Sequence, residues 1–99
     1  MGEEPISARL HERVRRDFPD AEAARGVVGA LRVLAVELES SLQSTERLLT
    51  AAVVIAGGDV GRFRAAVRLA REDWRDLLME AGLGHEDWPH VLDEELSPR

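Results

Sequence analysis

The stretch AEAARGVVGALRVLAVELESSLQSTERLLTAAVVIA, residues 21–56, decides how the rest of the chain can fold. Ala24, Val27, Leu31, Leu34, Leu38, Leu42, Thr45, Leu49, Ala52 and Ala56 form one stripe at helical spacing, widened by Val28, Val53 and Ile55. Asp20 is placed to cap its start, with Glu22 in the favourable first turn. A continuous helix over this stretch would be a rod of about 54 Å. The alternative is a break near residues 40–44. There the stripe steps 34, 38, 42, Glu39 to Thr45 is the most polar part, and Ser40 and Ser41 are weak helix formers that cap well. Neither proline nor glycine interrupts that polar part, so the reading adopted is the continuous helix.

The flanking stretches are also helical in pattern. Residues 59–81 carry Val60, Phe63, Val67, Ala70, Trp74, Leu77 and Ala81 in alternating steps of three and four. Residues 5–18 repeat Ile6, Leu10, Val14 and Phe18, with Pro5 fitting a first turn and Pro19 ending the helix. A final helix over 87–96 follows from Trp88, Leu92 and Leu96, with Pro89 tolerated in its first turn. Gly57-Gly58 and Gly82 read as helix stops, Leu83 being placed for the contact that follows a glycine cap. The fold expected is all-α: one domain over 1–99, an antiparallel helical hairpin or bundle of three to four helices with a long central one. The first and third helices would lie end to end along it. Such a half-layer leaves apolar surface bare, so completion by dimerisation is expected. A break near 40–44 would instead give a compact four-helix monomer. Ala51 to Ala56 is apolar on every face and must be covered all round, by its own chain or by a second copy.

Composition removes several classes of function. The chain of 99 residues has no cysteine, which excludes disulfides, thiolate nucleophiles and cysteine metal ligands. All thirteen basic residues are arginine, so lysine Schiff-base chemistry and a phosphate-loop lysine are excluded as well. Gly57-Gly58 matches neither glycine-rich phosphate fingerprint. No apolar run approaches a membrane span and no secretory leader is evident, so a cytoplasmic protein without a membrane role is expected. The net charge is −6, and residues 81–99 carry five carboxylates against one arginine. That balance disfavours an extended nucleic-acid footprint.

Beside the 59–81 stripe run Arg64, Arg68, Arg71 and Arg75 on one flank, and Asp73, Asp76 and Glu80 on the other. Arg68 with Glu72, and Glu72 with Arg75, can each support the helix by roughly 0.2–0.5 kcal/mol. Some of the remaining charges read as placed for a neighbour. Trp74 lies on the main stripe beside Arg71, Arg75 and Leu78, the residue types that dominate binding hot spots. Trp88 is expected to fold back as a lid against Leu77, Leu78 or Leu83. Glu86 and His90, four apart, are the weak metal candidates, but two ligands do not make a site. His11 is a lone surface histidine. Neither a nucleophile elbow nor a carboxylate pair in an apolar pocket is suggested, and no cofactor is expected.

The function expected is therefore a non-catalytic helical interaction or assembly protein, a homodimer or the partner of another protein. Its expected interaction residues are Arg64, Arg68, Arg71, Trp74, Arg75 and Leu78, with Leu49, Val53 and Ile55 of the apolar segment. Two alternatives stand beside it. One is a nucleic-acid-associated regulator using Arg9, Arg13 and Arg16 or the row from Arg64 to Arg75. The other is a small metal-binding protein or enzyme built on clustered carboxylates and His90.

Overall fold

The computed structural model describes residues 5–38 and 44–98. Six helices follow in order: α1 Ala8–Asp17, α2 Ala21–Glu37, α3 Thr45–Ala56, α4 Val60–Glu72, α5 Trp74–Glu80 and α6 Trp88–Glu95. The bundle of three to four helices on one long central rod does not form. Helix α2 is capped off at Leu38, and α3 starts afresh behind Ser44, whose hydroxyl accepts from the Arg47 amide at 3.4 Å. Serine's preference for capping over helix interiors is the physical reason, with Glu46 stabilising the new first turn. Of the break region anticipated near 40–44, residues 40–43 lie outside the described residues.

A second division falls at Asp73, where the sequence pattern runs straight through. Its backbone is extended (φ −157°, ψ 90°), and its carboxylate accepts from the amides of Arg75 and Asp76 at 3.1 and 3.4 Å. Aspartate is a poor interior residue and a good cap, so α4 stops and α5 turns away. The turn seats Leu77 and Leu78 in the core. At the N-terminus the cap is Ser7, accepting from Leu10 N at 3.3 Å, so α1 begins at Ala8 and Pro5 precedes it.

Helix α3 is the axis of the molecule. Arg47 to Val53 and Ala56 are all buried, and each of the other five helices packs on it. Within the apolar run 51–56, Ala51, Ala52, Val53 and Ala56 are buried by the chain's own helices, and Val54 and Ile55 are half-buried. A radius of gyration of 12.2 Å matches the roughly 13 Å of a closed domain near this length. Gly57 and Gly58 (φ +54° and +85°) reverse the chain into α4, and Asp59 caps it by accepting from Arg62 N. Gly82 (φ +76°) closes α5 as a Schellman turn: Leu83 N donates to Leu78 O, Gly82 N donates to Met79 O, and Leu83 is fully buried. Phe18 meets Phe63 edge-on at 6.3 Å, tying the α1–α2 corner to α4. Among the described residues no helix is long and apolar enough to cross a membrane.

Candidate functional site

The arginines of α1 divide between two edges of that helix, and the edges have different fates. Arg9, Arg13 and Arg16 face the C-terminal helix. The Arg9 guanidinium bridges Glu46 at 2.7 Å and Asp93 at 2.8 Å, and Glu46 also accepts from the Ser7 hydroxyl. Those hydrogen bonds hold Arg9 above its ordinary pKa, and the bond from Arg9 holds the Glu46 carboxyl below its own. Arg13 binds Asp17 at 2.8 Å, Glu95 Oε2 at 2.9 Å, and the Glu95 carbonyl. Burial works against the charge of Arg13, but its bonds to Asp17 and Glu95 outweigh that and raise it. Arg16 donates to the Ser97 carbonyl at 3.2 Å. This row staples α6 onto α1, and its charge is met by carboxylates and carbonyls of the same chain.

The second basic row is also partly spent. Arg71 forms a two-pronged pair with Glu37 of α2 at 2.6 and 3.0 Å, which draws the Glu37 carboxyl below its ordinary range. Arg75 lies over the Trp74 ring at 5.2 Å. Arg64 and Arg68 are exposed and have no partner among the described residues. Two such arginines are a small footprint for a polyanion on a chain of net charge −6. Leu49 and Val53 are fully buried in α3, Ile55 is half-buried, and Leu78 is buried, so their apolar surface goes chiefly into the chain's own core.

Three of the sequence-derived residues do converge. Trp74, Arg75 and Leu78 line one depression of about 360 Å³ with Arg47, Met79 and Gly84. Arg47 enters from α3 and was not singled out by the sequence, because nothing local marks a buried arginine. It is 8% exposed, donates Nε to the Leu83 carbonyl at 2.8 Å and stands 4.5 Å over the Trp88 ring. Burial lowers its pKa below the ordinary arginine value. Trp88, half-buried, therefore closes over Arg47, while Met79 at the rim is 53% exposed.

No protein-family model, curated protein or solved structure matches this chain. Asp73 spends its carboxylate on helix amides, and Asp73, Asp76 and Glu80 are all exposed. Among the described residues no group of three His, Asp or Glu side chains could hold a metal ion. Glu86 is exposed, and His90 Nε2 meets Glu94 at 2.9 Å on the surface.

A larger groove, about 740 Å³, runs between α1 and α2. Val14, Phe18 and Ala24 form its floor, and Val28 is half-buried in its wall. His11 and Arg15 rise from α1, Arg25 and Arg32 from α2. Sequence reasoning left this groove unmentioned. The available signal was His11 with Arg15, four apart on one edge of α1, facing Arg25 and Arg32 seven apart on the next helix.

Proposed function

We propose that the protein is a helical protein–protein interaction module whose contact centre is the depression around Trp74, Arg75 and Met79. The observation that carries the proposal is the composition of that depression. Tryptophan, arginine and methionine, the types enriched at interface centres, share one concave patch, and among the described residues no carboxylate lines it. The patch is rigid where it must be: Arg47 is fixed to the Leu83 carbonyl, and the Gly82 turn holds Leu83 against α5. Rigid walls reduce the ordering cost of association. Exposed Met79 supplies an adaptable rim, as methionine does at surfaces that accept apolar partners.

The test is a photo-crosslinking amino acid placed at position 79, with position 72 on exposed α4 as control. The expected result is one discrete adduct specific to position 79, whose partner, once identified and purified, binds the wild type and loses affinity for Trp74→Ala. Equal adducts at both positions, or a purified partner indifferent to Trp74→Ala, would count against the proposal.

A further inference from the structure

Helix α1 presents arginine on two edges, and among the described residues acid meets the arginines of one edge. Arg9 and Arg13 meet Glu46, Asp93, Asp17 and Glu95. On the other edge the α1–α2 groove is lined by His11, Arg15, Arg25 and Arg32, and among the described residues no carboxylate lines it. Arg15 and Arg25 are exposed on opposite walls, without a partner among the described residues.

A second observation lies on the same helix. The described large apolar side chains most open to water include Val36 at 66% and Val33 at 54%, both on α2. Helical spacing sets Val36 between the Arg25–Arg32 column and Gly29, and a Cβ built on Gly29 would meet nothing within 4 Å. Val36 and Val33 thus border the arginine column on the side away from Val28, which stands in the groove wall.

We propose that the α1–α2 groove docks an acidic amphipathic helix from a partner protein. The charge complement is glutamate or aspartate against Arg15 and Arg25, and the apolar complement is a stripe seated on Val28 over the groove floor of Val14, Phe18 and Ala24. The groove is a trough between two helix flanks, open along its length, the geometry of helix-in-groove recognition. A small molecule would lie largely exposed there, whereas specific ligand pockets bury most of their occupant. Helix α1 spans about 15 Å, so the occupant is a helix of about three turns. The acidic excess of the chain sits in residues 81–99, and α6 carries it against the opposite edge of α1. At physiological salt that field is screened within about 8 Å. A nucleic acid would find too few guanidinium groups and no use for the valines.

The experiment uses the full chain, isotope-labelled, followed by amide NMR. It is titrated with a synthetic helical peptide of about 14 residues, leucine at helical spacing and glutamate on both flanks. A lysine-for-glutamate version and a short DNA duplex are run in parallel. The expected result is saturable shifts confined to α1 and α2 with the acidic peptide alone. In Arg15→Glu/Arg25→Glu its affinity falls about tenfold or more, and the lysine peptide gains binding, which also shows that the variant is folded. Arg64→Glu/Arg68→Glu leaves the affinity unchanged. Equal binding of both peptides would overturn the acidic preference. Shifts outside the groove, or tighter saturation by the duplex, would overturn docking there. None of these outcomes bears on the Trp74 depression, whose test is separate.

Discussion

Gly26 and Gly58 are the same residue under opposite constraints. Gly26 sits inside α2 with open space where a Cβ would go, so Gly26→Ala should stabilise the protein by about 0.5–1 kcal/mol through helix propensity. Gly58 has φ +85°, and a Cβ there would lie 2.8 Å from the Asp17 carbonyl oxygen. Gly58→Ala should therefore cost about 1–3 kcal/mol. Urea unfolding of the two variants checks both signs. Glu46 gives a pH-dependent case. Its carboxyl is held below its ordinary pKa chiefly by the hydrogen bond from Arg9, with Ser7 adding to it. Such a group contributes stability fully present above the unfolded pKa of about 4.3 and lost as pH falls through the lower folded value. Glu46→Gln should be less stable than wild type at neutral pH by about 1 kcal/mol, the upper range for an ion pair partly in water. The gap should close in acid, and denaturation midpoints at neutral pH and near pH 3 measure it.

Caps decide the architecture at the scale of the element. Asp73 separates α4 from α5 through two hydrogen bonds that its carboxylate accepts from amides. Asp73→Ala should cost about 0.5–2 kcal/mol, while Asp73→Asn, an equally good cap, should stay close to wild type. A loss of equal size in both variants would show that the charge matters and the cap does not. Ser44 plays the corresponding part ahead of α3. These breaks were hard to read because an apolar stripe keeps its phase across a short interruption. Phe63, Val67, Ala70 and Leu77 satisfy the helical period whether or not Asp73 is helical. The glycine turns were legible, since only a positive φ explains glycine at Gly57 and Gly82 so directly.

Across the whole molecule, the burial of α3 by its own chain predicts that folding does not depend on association. The thermal midpoint should remain constant across a hundredfold range of protein concentration, a ratio within which about 2.7 kcal/mol of binding linkage would show. A midpoint that climbs with concentration would reveal that copies of the chain contribute to the folded state. The candidate sites were legible to different degrees. Trp74, Arg75 and Leu78 are neighbours along one helix, so their convergence could be read from spacing. Arg47 joins them from α3, and the α1–α2 groove brings together side chains from two elements. Neither is written in any single period.

By itself the sequence determined that the chain is helical, where glycine ends helices, that most of 51–56 goes into the core, and that thiol and lysine chemistry are absent. These follow from local backbone preference, apolar period and composition. Only the tertiary structure decided what encloses α3, that the described residues form six helices, and which arginines are already matched by acid. Those outcomes depend on which surfaces meet once the chain turns at Ser44 and Asp73, and a one-dimensional period holds no information about the direction taken after a turn.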